Sequence, residues 1–547
     1  MKKIGSLLLA LIMIITMAVP VSAIPIVKHG SDVPVIAIFG DGEPLYDTEG
    51  NKIFHFSEIV DQLMSSAKNG LGESLKNMLK PFFVDGVFND DWDGFYAVLE
   101  QEMGKIFEKS RYDKNGENPN GSDIHPDRRK TMAEYVSRNT KEINGSYYVY
   151  DYQFWYDWRQ DPFKTADELN QYIKDIKAIT GAPKVSVLAR CLGSSVVLAY
   201  VAKYGSADLH GLAFDGSVAA GAEIVSELIS GKSDVDLNAV GRMLSDLQND
   251  GSLGLDSVVL ATVDLIAKVL TAVGFNLEDT AVHEKLAPGV FAAATRATFF
   301  TWPGYWALVT PEDYEDAITG VFGPEGSKER TEYAGLIKKI ENYQMNVTRK
   351  LDTLLTDANA NGVKMGVIAK YGYQLAPVVE SKDMIADQYA TVKRASFGAT
   401  TTTVYDTFSD EYIAKRVAEG KGRYISPDKH IDASTCVFPD YTWFTKGISH
   451  SHWSDLETSI LFQVITADEQ LTIDDFECTQ FIMYDKENDN GYAMTEENCN
   501  TEPWNTDKSY DRPETFMEKI TALFKAFINW FKEFIRFAGD SIKEKSE

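Results

Sequence analysis

Apolar positions follow two rhythms along this chain. Pro34 to Phe39, Tyr147 to Phe154, Val185 to Leu188 and Val363 to Ala369 are short apolar runs rich in β-branched or aromatic residues. Such runs, bounded by glycine, proline or charge, read as buried strands. Between the second and third, Leu169, Tyr172, Ile173, Ile176 and Ile179 recur at helical spacing, and Gly181 closes the segment. Thr165 followed by Glu168 has the form of a capping box, which predicts the start of that helix. Strand, helix, strand is one βαβ crossover, so the predicted fold class is α/β. The sheet is mostly parallel, with Val185 to Leu188 as its central strand. The strand pattern returns at Tyr389 to Lys393 and Thr442 to Gly447, and Phe481 to Tyr492 reads as a hairpin.

The helical rhythm dominates elsewhere. Residues 56–145 form a long polar insertion with helical patterns at Ile59 to Leu79 and Phe95 to Phe107. Residues 216–361 are almost wholly helical in pattern: Ile224 to Ile229, Val240 to Leu247, Val258 to Val273, Phe291 to Trp302 and Tyr333 to Leu355. A helical block between sheet strands predicts a cap, and Phe299, Phe300, Trp302, Tyr305 and Trp306 predict that it lines an apolar pocket. Residues 24–215 and 362–505 are then the two parts of one core. Residues 506–547 end in an amphipathic helix whose apolar face runs from Phe516 through Ile520, Phe524 and Phe531 to Phe537. That helix either docks on the body or contacts a membrane surface or partner. At the other end, Lys2 and Lys3, the apolar stretch Leu7 to Met17 and Val21-Ser22-Ala23 make residues 1–23 a signal peptide, so the chain is expected to be exported.

Composition narrows the partners. The chain has 547 residues and, with 54 basic against 81 acidic side chains, a formal charge of −27, which argues against nucleic acid. Its 4 cysteines are too few for a disulfide scaffold, though Cys478 and Cys499 flank the predicted hairpin closely enough to pair. No His/Cys cluster has zinc spacing and no phosphate- or dinucleotide-binding glycine pattern occurs, so neither metal nor cofactor is expected. Asp113 to Asp123 is acidic, but its glycines and glutamate are misplaced for a calcium loop, and it reads as solvated.

The chemistry points to Ala189-Arg-Cys191-Leu-Gly193, where a strand passes directly into a helix. Small residues two before and two after the apex permit a turn tight enough to lift the apex side chain to the sheet edge. The Leu192 N–H at the helix start is then ready for an oxyanion, and the helix dipole favours an ionised thiol at Cys191. The bland alternative is a core cysteine in an ordinary crossover. A second oxyanion donor is expected at Asp41 N–H in the Gly40-Asp-Gly42 loop, which otherwise is a plain glycine turn. Arg190 is expected at the surface, the alternative being a cation beside the thiol that favours the thiolate or a substrate carboxylate or phosphate, and Ser194 and Ser195 lie within the first helical turn, aimed away from the apex. Nucleophile at 191, an acid within 383–432 and a histidine at 450 or 452 give the chain order nucleophile, acid, base.

These pieces together resemble the lecithin:cholesterol acyltransferase-like branch of the α/β hydrolase superfamily. The resemblance rests on Pro34 to Gly42, Tyr156-Asp-Trp-Arg159, the elbow 189–193, Asp387 to Lys393 and the histidine before a helix, spanning roughly residues 34–465. It implies a Cys191–His450–Asp387 triad, with Asp383 and Asp432 as rival acids and His452 as the rival base. It further implies an acyl-ester hydrolase or acyltransferase on a lipid-like substrate; the alternative is a hydrolase-fold binding protein without activity. The sequence departs from the family at the nucleophile, cysteine for serine, at Arg190 for histidine or tyrosine, and at Gln388 where a glycine follows the acid.

Overall fold

The computed structural model describes residues 33–40, 43–54, 91–129, 141–143, 146–148, 152–234, 296–377, 379–452, 454–476, 479–485 and 490–499, with isolated positions at 81, 85, 289 and 293. Eight strands form the main sheet: β1 (Val35–Ile38), β2 (Tyr152–Phe154), β3 (Val185–Arg190), β4 (Leu209–Asp215), β5 (Lys364–Tyr371), β6 (Thr442–Lys446), β7 (Phe481–Asp485) and β8 (Asn490–Ala493). Their order is β8-β7-β6-β5-β4-β3-β1-β2. Every pairing from β2 to β7 is parallel, and only the β7–β8 hairpin is antiparallel. The strand carrying the elbow, β3, is interior, between β1 and β4, but stands third from the β2 edge. Ile38 is in register with Ala189, and Asp215 with Arg190, so the ends of β1, β3 and β4 meet at one edge of the sheet.

Alternation along the strands sorts the core. Ile36, Val187, Leu212 and Val367 face one side and join the larger apolar cluster. Their neighbours Val35, Leu188, Ala213 and Ile368 face the other side, against Ile460, Leu461, Val464 and Ile465. Those last residues belong to the helix Asp455–Thr466, which is closed by a capping box from Ser454 to Glu457. On the first side lie the helices Pro162–Thr180 and Gly193–Tyr204, with Ala334–Asn346 and Leu351–Ala360 behind them.

Several expectations fail for local reasons. The crossover helix starts at Pro162, not Thr165: Asp161 accepts the Phe163 N–H, and proline suits the first helical position. Thr165 and Glu168 are instead tied to Gln160 Nε2. Tyr389 to Lys393 is no sheet strand, because the Asp387 side chain draws in the Tyr389 and Ala390 N–H groups and Thr391 caps the short helix Val392–Ala395. The helix expected over 333–355 is broken by a 3-10 turn at Thr348–Lys350.

Among the described residues, Phe299, Phe300, Trp302, Tyr305 and Trp306 pack against one another and the body instead of opening onto a pocket beside the site. They are buried in the main core, where Trp302 and Tyr305 pack on Trp158, and Trp302 on Phe54. Indole N–H groups at 302 and 306 are satisfied by the Ser110 and Phe300 carbonyls, which lets these rings be core residues. The helix Asp93–Phe107 buries Phe95, Leu99, Met103 and Phe107 against the same cluster. Arg159 ties this inserted region to the core: it pairs with Asp157 at 2.6 Å and donates to the Ser110 and Ser122 carbonyls. The expected signal peptide, the centre of the expected cap (residues 235–288), the expected helix Ile59 to Leu79 and the expected C-terminal helix lie outside the described residues, as does Cys478. Cys191, Cys436 and Cys499 are free thiols. No described helix is long and apolar enough to cross a membrane.

Candidate active site

The site begins where β3 ends. Cys191 has φ 48°, a left-handed conformation that costs a non-glycine residue energy and persists only where the surroundings enforce it. The helix Gly193–Tyr204 follows at once, and Ser194 Oγ turns back to the Cys191 carbonyl. Both Ser194 and Ser195 are fully buried, so neither replaces the thiol at the apex. Cys191 itself is half-buried. The end of β1 passes so close that a Cβ on Gly40 would stand 3.0 Å from Cys191 Sγ and 3.5 Å from the Leu192 nitrogen. The Leu192 N–H therefore borders the space next to the thiol. Asp41, the other expected oxyanion donor, lies outside the described residues.

The acid and base come from the opposite half of the sheet. Asp387 is completely buried, and its Oδ1 accepts the N–H groups of Tyr389 at 3.1 Å and Ala390 at 2.7 Å. Its Oδ2 lies 2.7 Å from His450 Nδ1, and the His450 N–H donates to the Asp387 carbonyl at 2.9 Å. The Tyr389 ring covers the imidazole at a centroid distance of 5.1 Å. The loop is anchored below by Glu223, which takes Thr391 Oγ1 at 3.0 Å and Arg394 Nε at 2.8 Å. His450 Nε2, the nitrogen turned away from Asp387, is buried with no hydrogen-bond partner at bonding distance among the described residues. Burial works against the imidazolium, but the Asp387 carboxylate and Cys191 outweigh it and push His450 up to about 10. A thiol at the turn and a histidine whose far ring nitrogen is fixed by a carboxylate are the groups that can attack a carbonyl and return a proton.

The rival residues are engaged elsewhere. Asp432 is held by Arg416 and the Tyr412 hydroxyl, Asp383 closes a 3-10 turn, and His452 Nε2 meets the Tyr484 hydroxyl. Gln388 has φ 85°, so the position after the acid does require the left-handed region that a glycine would enter freely.

Arg190 is not at the surface. It is 5% exposed, and its Nη2 donates to the carbonyls of His450 at 2.9 Å and His452 at 2.8 Å. Burial pulls its guanidinium down to about 10, still a cation at neutral pH. Sequence reasoning missed it because its partners are backbone atoms some 260 positions away. The one signal was its place next to the apex, at the last position of a strand otherwise wholly apolar or small. Beside Gly40 is a shallow hollow, with room for about one water molecule, lined by Phe39, Gly40, Glu43, Phe154, Trp155 and Tyr156. Arg128 lies over the Trp155 ring at 4.2 Å and faces Glu43 at 3.4 Å, while burial raises the Glu43 carboxyl above its usual range. Among the described residues no group of His, Cys, Asp and Glu is arranged to hold a metal ion.

No protein-family model matches this chain, and no curated protein matches it. Among solved structures, a chain of a Tle4–Tli4 complex aligns with 62% of this chain and 75% of its own length. The identity is 12% and the TM-score 0.23, an overlap too loose to bear on fold or function.

Proposed function

We propose that this chain is an exported acyl-ester or thioester hydrolase, or acyltransferase, of the α/β-hydrolase type, working through Cys191, His450 and Asp387. The observation that carries the reading is the pairing of a left-handed cysteine at a strand-to-helix turn with a buried His450–Asp387 couple reached from the same sheet edge. The Cys191 thiolate attacks the carbonyl carbon, and the Leu192 N–H, with Asp41 N–H as the expected second donor, takes the oxyanion. The His450 imidazolium then protonates the departing alkoxide or thiolate, leaving a thioacyl-enzyme. Water or an alcohol, deprotonated by His450 Nε2, attacks that thioester; collapse releases the acid or new ester and restores the thiolate–imidazolium pair. Asp387 holds the ring through its Oδ2. The lipid-like substrate is carried over from the sequence resemblance; the aromatic rings of Phe154, Trp155 and Tyr156 beside Gly40 are the apolar surface it would meet.

Hydrolysis of p-nitrophenyl esters of increasing chain length, and of the matching thioesters, tests the reading. Cys191→Ala should abolish turnover, and His450→Ala should cost roughly a hundred- to ten-thousandfold, far more than His452→Ala. Turnover that survives in Cys191→Ala would place the nucleophile elsewhere. A native protein that cleaves no ester and whose Cys191 resists alkylation would instead be a binding protein built on this fold.

A further inference from the structure

Under the elbow lies a set of buried charged groups that the acyl-transfer steps do not use. Arg190 ends β3, Asp215 ends β4, Lys370 lies near the end of β5, and Glu457 is in the first turn of the helix after the histidine loop. Each is at least nine-tenths buried. Arg190 Nε lies 3.5 Å from Asp215 Oδ2, and Lys370 Nζ lies 2.9 Å from Asp215 Oδ1 and 3.8 Å from Glu457 Oε2. Glu457 takes the Ser454 N–H at 3.2 Å, closing the cap of its helix. The two cations also share a second target. Arg190 Nη2 reaches the His450 and His452 carbonyls, and Lys370 Nζ reaches the His452 carbonyl at 2.6 Å.

Burying such charges is costly, and apolar residues of similar volume would often serve stability as well or better. What the charges supply here, and apolar side chains cannot, is donors aimed at the carbonyls of one turn. That turn, Ser449 to His452, has no place in the sheet; it follows Gly447, which has φ 88°, and it is also tied to Asp387 at His450 and to Tyr484 at His452. The ties to Asp387 and Tyr484 fix the turn to its acid and to β7, whereas the tie from Arg190 starts at the residue before the thiol. Arg190 supplies the missing link, because it is bonded covalently to Cys191 and through its guanidinium to the backbone of His450.

We propose that Arg190, backed by Asp215 and Lys370, is a positioning residue that sets the distance between the Cys191 thiol and the His450 imidazole. The proposal rests on the Cys–His–Asp reading of the site. It gives the arginine before the nucleophile a purpose: one guanidinium fork spans two carbonyls of the histidine turn while facing a carboxylate on the next strand. A lysine at 190 would keep a cation opposite Asp215 but cannot place planar donors on both carbonyls.

The test compares native protein with Arg190→Lys and with the paired change Arg190→Met/Asp215→Asn, which removes a cation and a carboxylate together and so leaves neither buried alone. Two readouts are taken on proteins shown by circular dichroism and thermal melts to be folded. These are the rate of Cys191 alkylation by iodoacetamide as a function of pH, and kcat and KM on a p-nitrophenyl ester. Both variants, like His450→Ala, should alkylate Cys191 more slowly at neutral pH, and should lose roughly ten- to a hundredfold in kcat with KM nearly unchanged. Native alkylation profiles and native kcat in either folded variant would overturn the proposal while leaving the hydrolase reading intact. If native protein cleaves no ester but the variants slow alkylation as His450→Ala does, the positioning role stands and the hydrolase reading falls. Should Arg190→Lys not fold, the paired variant decides alone, and the reverse holds equally.

Discussion

At the scale of single residues, the elbow depends on what is absent as much as on the thiol. A Cβ on Gly193 would stand 2.4 Å from the Ile38 carbonyl oxygen and 3.0 Å from that of Phe39, both backbone atoms that cannot step aside. A Cβ on Gly40 would meet only Cys191 at its tightest, at 3.0 Å from Cβ and from Sγ. The two glycines therefore fail differently when changed to alanine. Gly193→Ala should lose about 3 kcal/mol or more in urea melts, as overpacking against fixed backbone does. Gly40→Ala should melt nearly as the native protein but alkylate Cys191 more slowly and turn over less ester. Equal stability losses in the two would mean that Gly40 serves packing and not access to the thiol. The small-x-Cys-x-Gly pattern was readable because this geometry excludes larger side chains, a constraint written in adjacent residues. Arg190 was misread for the converse reason: nothing nearby in the chain announces that its guanidinium meets the carbonyls of His450 and His452. The departure at Gln388 falls between these cases, since its φ of 85° shows what the position demands, while its side chain does not announce it.

At the scale of elements, strands were read from their continuous apolar runs, because parallel strands covered on both faces leave no other pattern. β1, β3, β5 and β6 all fall where the runs predict. Element ends were less legible, since side chains competing for the same backbone N–H groups decide them. Two candidates for the cap of the helix Pro162–Thr180 stand in sequence, and both have the right composition. The structure gives the cap to Asp161, whose Oδ1 accepts from Phe163 at 3.0 Å. Asp161→Ala should therefore cost about 1 kcal/mol in chemical denaturation, with Asp161→Asn costing less because an amide oxygen can still accept. Glu168→Ala should cost less, because the cap of this helix is Asp161, while the Glu168 carboxylate takes the Gln160 amide. A larger loss at Glu168 than at Asp161 would restore the capping box as the true start. The failure at 389–393 has the same origin: β-prone residues were overruled by one carboxylate that gathers two N–H groups and offers its other oxygen to His450. A site carboxylate that bends its own backbone removes the strand signal at the place where function lies.

At the scale of the whole molecule, buried ionised groups make stability depend on pH from both sides. Asp157, Asp215 and Asp428 are buried, which opposes their charge, yet Arg159, Lys370 and Lys446 respectively outweigh burial and hold each below the usual 3.8. A depressed carboxylate contributes stability that is whole above its unfolded value and is lost as pH falls through the folded one. His450 acts in the opposite direction. Its folded value, pushed up to about 10 from 6.5, means that the native state binds this proton more tightly than the unfolded chain does. The slope of unfolding free energy with pH is therefore negative across that interval. The contribution is whole below 6.5 and is lost as pH rises through about 10. The surface pulls the same way, since a chain already at −27 becomes more self-repelling as further cations are neutralised. Comparison of native protein with His450→Gln separates the two, because the substitution leaves the surface unchanged. Melting temperatures measured from pH 5 to 10.5 should show a native advantage at the acid end that shrinks through the interval and vanishes near its upper limit. In Cys191→Ala the alkaline midpoint of that decline should move down, because Cys191 is one of the two neighbours that raise the histidine. A native curve parallel to that of His450→Gln throughout would mean that the imidazole is not held as a cation. The thiolate–imidazolium pair would then have to form only when substrate binds.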